Sequence, residues 1–289
     1  MSKAILGGLS VKELAARVWH EANKDNVWGS AAALAYYFLL ALFPMLIFLT
    51  NLVGFLPEIQ ENILTALAKV LPPDAITLVA KTLSDVRANS SSGLLSFGII
   101  GTLWSASGGV VSLMDSLNFA YDVEEGRSFW KQRLISLALT IGLCLLIILG
   151  TMFIMFGDKF SLWLSKALDL GAAFKLIWHI VDYLLGLALI LSGIELFYYF
   201  GPNVKQKWRW TSVGGVFAVV AIITGSLLFS FYLRYAPSYS ATYGSLGAVI
   251  VLMLWLYIFG LVLLIGGEIN AEIRQAKHIP VVEKEPCTD

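Results

Sequence analysis

Charge, histidine and cysteine are all scarce in this sequence. Only 14% of its 289 residues are charged, against about 25% in an ordinary soluble chain. Lysine plus arginine equals aspartate plus glutamate at 20 each, so no overall positive charge is available to attract nucleic acid. The three histidines are scattered without metal-binding spacing, and the two cysteines, Cys144 and Cys287, do not make a disulfide framework.

Sequence motifs of common enzyme classes are missing as well. There is no Walker A sequence, no GxSxG elbow and no HExxH pair, which argues against an ATP-driven pump, a serine hydrolase and a zinc enzyme. We therefore expect no catalytic residue, no metal and no cofactor, and we expect that the protein is not an enzyme.

Six long apolar segments dominate the chain instead. Each has roughly 20 residues or more, enough at about 1.5 Å per residue to cross a hydrocarbon layer about 30 Å thick. The sequence predicts an all-α integral membrane protein with six transmembrane helices, an N-terminal amphipathic helix and two short external amphipathic helices. The predicted spans are 31–56, 94–114, 134–156, 174–200, 211–232 and 243–265.

This pattern divides the chain into three parts. Residues 1–30 form a cytoplasmic amphipathic segment, and its helix at 10–26 either lies on the membrane surface or packs under the bundle. Residues 31–267 form the membrane domain, in which the long linker 57–92 folds as an external helical cap. Residues 268–289 form a cytoplasmic tail. With the N-terminus inside, Lys and Arg number 13 on the cytoplasmic side and 7 outside, so the positive-inside rule favours both termini in the cytoplasm.

Polar residues near these spans are the candidates for a translocation path or gate. A charge at the membrane centre costs about 2.5–3.5 kcal/mol on insertion scales, so it usually faces a partner or a wet cavity. Glu195 either lines an internal path or is a structural acid. Glu268 and Glu272 lie on one face of a helix. They form an ion-binding rim, or they belong to a helix that leaves the membrane at this point. The candidate path or gate residues are Asp115, Asn118, Glu195, Arg234, Glu268 and Asn270.

Proline and glycine mark candidate hinges. Pro44 interrupts the first span, as a hinge or as a packing kink. The second span carries a stripe of small and hydroxyl residues that favours close helix packing, and it leads into a loop at 121–127 that we expect to be solvated. The candidate hinge residues are Pro44, Gly108, Gly109, Gly244 and Gly247.

Several segments, in this order and spacing, resemble the YihY/BrkB family of bacterial inner-membrane proteins. The matching pieces are AAALAYY (31–37) with Pro44, LWSAS (103–107) through Asn118 and Tyr121, RSFW (127–130), YFGPN (199–203), YGSLG (243–247), WLY (255–257) and GEINAE (267–272). The resemblance covers about 15–275, with the tail after Ile279 outside it. It implies a six-span protein of the bacterial inner membrane. The family has carried a ribonuclease BN label, which these residues contradict, and it supplies no agreed catalytic set to transfer.

Two functions remain open at this point. The first is a transporter or flippase-like protein for a lipid-related or amphipathic substrate. The alternative is a non-transporting membrane scaffold or partner-binding protein in envelope maintenance. We expect membrane lipids as partners and no nucleic acid, and we leave a homo-oligomer open.

Overall fold

The computed structural model describes residues 6–53, 76–77, 80–81, 84, 95–167, 172–235 and 246–285. These residues contain seven helices and no strand, so the prediction of an all-α chain holds for them. The helices are α1 (Val11–Lys24), α2 (Val27–Val53), α3 (Leu95–Ala120), α4 (Phe129–Ala167), α5 (Ala172–Phe200), α6 (Val213–Tyr235) and α7 (Leu246–Ala276).

Four stretches in these helices are long and apolar enough to cross a membrane. They are Phe129–Gly150, Ile180–Phe200, Val213–Leu233 and Gly247–Ala276. Together they correspond to the last four predicted spans. The first two predicted spans coincide with α2 and α3, and the crossing of the membrane by these two helices stays a prediction.

Helix α7 lies at the centre of the packing. It contacts α1, α2, α3 and α6, whereas α4 packs on α3 and α5. The core joins Leu34 of α2, Leu117 of α3, Ala218 of α6 and Leu264 of α7. All four side chains are almost fully buried, so burial of apolar surface holds these helices together.

Helix α1 begins with a capping box. The Ser10 side chain accepts a hydrogen bond from the Glu13 amide (3.2 Å), and the Glu13 carboxylate accepts one from the Ser10 amide (2.7 Å). Its buried Val18 packs with Ile269 and Ile273 of α7. Helix α1 therefore lies against α7, while contact of its opposite face with a membrane surface stays a prediction.

Helices α4 and α7 continue furthest past the predicted span ends. Helix α7 runs to Ala276, beyond the expected start of the tail at 268, because Ile269 and Ile273 are buried under α1. Helix α4 runs to Ala167, beyond the expected end at 156, and no proline interrupts it.

Some predicted features fall outside the described residues. The external cap at 57–92 does so apart from 76–77, 80–81 and 84, and so does the hinge candidate Gly244. Pro44 is half-buried inside α2, which continues as a helix to Val53. Gly247 is buried near the start of α7. Movement at Pro44 or Gly247 stays a prediction.

Candidate functional site: a hydrogen-bonded end and an uncovered face of α3

Buried polar groups concentrate at one end of the bundle. We call it the closed end and define it by α1, the 121–128 loop, the 201–212 segment and the 277–285 tail. Arg127 lies at its centre with 1% of its side chain exposed. Its Nε and Nη2 atoms donate to the Glu125 carboxylate (2.6 and 2.5 Å). Nη1 donates to the Phe200 carbonyl (3.1 Å), and Nη2 also donates to the Gly201 carbonyl (2.7 Å). Arg127 thus neutralises Glu125 and caps the C-terminus of α5.

The ion pair sets the charge state of Glu125. Burial opposes ionisation of its carboxyl, but hydrogen bonds from Arg127 and Asn118 outweigh burial, so the pKa of Glu125 lies below its ordinary value. Tyr121 and Arg127 are only 4% and 5% exposed. The expectation of a solvated loop at 121–127 is therefore wrong for these residues, although Asp122 and Glu124 are exposed.

Two buried asparagines tie the loops of the closed end together. Asn118 accepts from the Asn203 amide (2.7 Å) and donates to Glu125 (2.9 Å). Asn203 donates to the carbonyls of Glu124 (3.1 Å) and Glu285 (2.7 Å). The predicted residue Asn118 therefore joins the end of α3 to the segment that follows α5.

The tail is part of the same network. The Lys205 amide donates to the Val282 carbonyl (2.7 Å), and the Lys284 ammonium donates to the carbonyls of Tyr199 and Pro202 (both 3.0 Å). Burial, with added repulsion from Arg127, lowers the pKa of Lys284 to about 8. Segment 282–285 is thereby held against the end of α5.

Glu195 and Asn270 hold the first turn of α6. The buried Glu195 carboxylate accepts from the Ser212 amide (2.6 Å). Asn270 accepts from the Gly214 amide (2.9 Å) and donates to the Ser212 hydroxyl (3.0 Å), which itself accepts from the Gly215 amide (2.9 Å). Such acceptors satisfy free N–H groups at a helix start. Both predicted residues therefore have structural partners, and their part in a path stays a prediction.

Glycines let α6 and α7 meet at this point. A Cβ atom on Gly214 would collide with the Gly266 carbonyl, and one on Gly266 would collide with the Tyr198 hydroxyl. That hydroxyl donates to the Leu263 carbonyl (2.7 Å). The Gly266-Gly267 pair was a visible signal of close approach in the sequence, but its partner Gly214 was not foreseen.

One face of α3 is covered only in part by the rest of the described chain. We call it the α3 stripe and define it as Gly101, Ser105, Gly108, Ser112 and Asp115, which share a face at three- and four-residue spacing. Gly101 and Ser105 are exposed, and the other three are half-buried. A Cβ atom on Gly108 would meet nothing within 4 Å.

The neighbouring glycine behaves differently. A Cβ atom on Gly109 would lie 3.0 Å from Phe38 and 3.3 Å from Ala41. The expectation of close helix packing therefore holds at Gly109 and is wrong at Gly108, because α2 covers only the Gly109 side of the helix.

Aromatic and charged groups flank the α3 stripe. Asp115 accepts from the Gln132 amide group (2.6 Å). The Arg133 guanidinium lies 4.2 Å from the centre of the Trp104 ring, and Trp104 contacts Trp130 edge-on at 6.1 Å. The stripe thus has an acid at one end and a cation beside it.

The remaining candidates are placed as follows. Glu268 is buried on α7 at the closed end, with Glu272 one turn away. Arg234 lies in the last turn of α6, and its side chain is outside the described residues. No group of three or more His, Cys, Asp or Glu is placed to hold a metal ion within the described ranges.

Four stretches of the helices are apolar and long enough to cross a bilayer, and buried polar groups join the helices at one end. The protein is therefore a helical membrane protein. Residues 18–286 match the family described as Virulence factor BrkB, and the chain belongs to that family. The predicted resemblance is thereby confirmed. Because the match continues to 286, the tail after Ile279 lies inside it, and the expectation that this tail falls outside is wrong up to that residue.

Named relatives agree with this class. The ribonuclease-like protein YfkH of Bacillus subtilis (strain 168) is 39% identical over 271 residues, which cover 93% of this chain and 97% of that protein. A UPF0761 membrane protein of Vibrio campbellii is 27% identical over 286 residues, covering 96% and 86%. One of Tolumonas auensis is 24% identical over 266 residues, covering 89% and 82%. No solved structure matches the chain.

Proposed function

We propose that this protein is a flippase-like transporter that moves a lipid-related or amphipathic molecule across the bacterial inner membrane. The observation that supports the proposal is the α3 stripe, which presents hydroxyl groups and a carboxyl on a face that the described helices cover only in part. In this proposal the protein is not an enzyme, needs no cofactor and has membrane lipids as its partners.

The energetic argument concerns the hydroxyls of the α3 stripe. A hydroxyl moved from water into an apolar medium without a hydrogen bond costs roughly 2–7 kcal/mol, depending on the reference state. Ser105 and Ser112 avoid this cost if a polar headgroup moves along the stripe. The acyl chains of the same molecule remain in hydrocarbon beside exposed apolar residues such as Leu40 of α2.

The ends of the stripe suit a headgroup with both charges. The Asp115 carboxyl can contact a headgroup amine, and the Arg133 guanidinium beside Trp104 can contact a phosphate. Gly108, which has no side chain, leaves room on the helix face between Trp104 and Asp115.

The proposal includes six spans, with α2 and α3 crossing alongside the four apolar stretches. The excess of Lys and Arg on one side orients the closed end toward the cytoplasm. Contacts of Asn118, Glu195 and Asn270 then keep that side shut, while Arg234 lies toward the opposite side. Pro44, Gly109 and Gly247 are the positions at which α2, α3 and α7 bend.

The test is movement of labelled lipid in proteoliposomes. We expect the purified protein to move headgroup- or chain-labelled phospholipids between leaflets. A variant with Ser105→Leu, Gly108→Leu and Ser112→Leu should lose at least about tenfold in rate, a barrier difference of about 1.4 kcal/mol. Thr224→Leu, which changes an exposed hydroxyl on α6, should leave the rate unchanged.

Two results would contradict the proposal. One is wild-type protein that is folded yet moves none of the lipids, and the other is an unchanged rate in the triple variant. The first result would favour the scaffold function, for which the specific support is the docked tail: Asn203 and Lys284 fix it to the end of α5 as a preformed surface.

A further inference from the structure

Glu268 is a buried acid without a visible partner. Only 1% of its surface is exposed, and its Oε1 atom has no hydrogen-bond partner in the part of the chain that the structure describes. An ionised carboxylate in such a place is strongly disfavoured unless a cation or several hydrogen bonds compensate it.

The charged groups that act on Glu268 are other acids. Glu272 is one turn away on the same helix, Asp25 and Glu21 belong to α1, and Asp122 belongs to the 121–128 loop; each acts on Glu268 as a like charge. Like charges disfavour ionisation of a buried carboxyl as burial itself does. The surroundings therefore add to the cost of a negative charge at this position.

The two cations in this cluster are engaged elsewhere. The Lys24 ammonium lies 2.7 Å from Glu21 and 3.2 Å from Asp122. The Arg17 guanidinium, half exposed, is 3.9 Å from the Glu272 carboxylate. Five acids with two cations leave three negative charges in excess if all are ionised.

The remaining question is which ligand removes the excess charge at Glu268. Calcium and magnesium take six or more oxygen ligands, and the described residues hold no group of three acidic or histidine side chains placed for a metal. A proton needs one oxygen, and Oε1 supplies it. We infer that Glu268 is a proton-binding site and that it carries a proton in the folded protein.

Asp25 belongs to the same cluster of acids. Its half-buried carboxyl lies at the end of α1, outside the apolar spans. Burial raises the pKa of Asp25 above its ordinary value, Lys24 opposes that rise, and Asp122 and Glu21 add to it. The inference about Glu268 goes beyond the proposed transport and does not depend on it.

Infrared spectra of the full-length protein at neutral pH, subtracted between the wild type and the Glu268→Gln variant, test the site directly. We expect a C=O stretching band of a protonated carboxyl in the wild type and its loss in Glu268→Gln. Glu124→Gln, which changes an exposed acid at the same end, is the matched control and should keep the band. A Glu268→Gln protein that retains the full band would overturn the inference.

Stability provides the second readout. Glutamine has nearly the shape of a protonated glutamate but does not have to take up a proton on folding, whereas an unfolded glutamate is ionised at neutral pH. We therefore expect Glu268→Gln to fold and to be more stable than the wild type at neutral pH, with the difference disappearing below about pH 4. The alternative outcome is an unfolding constant raised tenfold or more at neutral pH in this variant. That outcome would mean that Glu268 is ionised and paired, and would overturn the inference. Neither readout requires lipid movement, so failure of the transport assay and failure of the proton site are distinguishable.

Discussion

Replacement of Arg127 by alanine should be among the most destabilising single changes in this protein. The side chain is almost fully buried, pairs with Glu125 and donates to the carbonyls of Phe200 and Gly201. Removal of one partner from a buried ion pair typically costs about 3–5 kcal/mol, because the other charge remains buried and unpaired. Since two carbonyls also lose their donor, we expect Arg127→Ala to reach at least the lower end of that range.

Two further variants make the reasoning quantitative. Arg127→Lys keeps the charge but cannot form the two-pronged contact with Glu125 while also reaching α5, so it should cost about 1–3 kcal/mol. The double change Arg127→Ala with Glu125→Ala should cost less than the sum of the two single changes, by a coupling of about 0.5–3 kcal/mol.

The measurement is reversible unfolding in mixed micelles by titration with sodium dodecyl sulfate. Arg209→Ala is the matched control, because Arg209 is an exposed arginine at the same closed end, and surface changes usually stay within about 0.5 kcal/mol. If Arg127→Ala is no more destabilising than Arg209→Ala, the closed end is not held by this ion pair and the description given above is wrong.

Three further predictions concern other parts of the structure. Gly214→Ala should destabilise the protein strongly, whereas Gly108→Ala should be neutral or slightly stabilising. The same detergent titration measures both variants, and equal effects would mean that α6 and α7 do not meet as described. Because docking lowers the pKa of Lys284 from its ordinary 10.5 to about 8, docking should strengthen as pH rises from about 8 to 10.5 and stay constant below about 8. A spin label on Cys287 should therefore become less mobile over that range, and a flat response would contradict the docking. Glu195→Gln should keep its acceptor for Ser212 and lose little stability, so a loss of lipid movement in this variant would place Glu195 in the path, and unchanged movement would remove it.

Elements that depend on local pattern were predictable from the sequence. Apolar length indicated the last four spans, and motifs in a specific order indicated the family. Apolar spacing predicted the helix at 10–26, and the Ser10 and Glu13 pair is a further local signal of its start. The end of α7 at Ala276 could not be placed from apolar length, because the apolar run stops at 265, whereas Ile269 and Ile273 are buried by α1, a partner distant in sequence.

The polar partners could not be predicted, because they join distant parts of the chain. Arg127 contacts Phe200, 73 residues away, and Asn203 binds Glu285, 82 residues away. Helical periodicity identifies the face on which a residue lies but not which helix covers that face. For this reason spacing indicated a stripe of small and hydroxyl residues on the second span, while the open space beside Gly108 became visible only in the structure.

Gln132 connects the two parts of the candidate site. Its side-chain amide donates to Asp115 at the end of the α3 stripe (2.6 Å) and to Glu125 in the closed end (3.3 Å). A headgroup amine that binds the Asp115 oxygen held by Gln132 would release that side chain to Glu125, beside the contact with Arg127. In the proposed transporter, we therefore expect Gln132 to couple occupation of the stripe to the ion pair of the closed end.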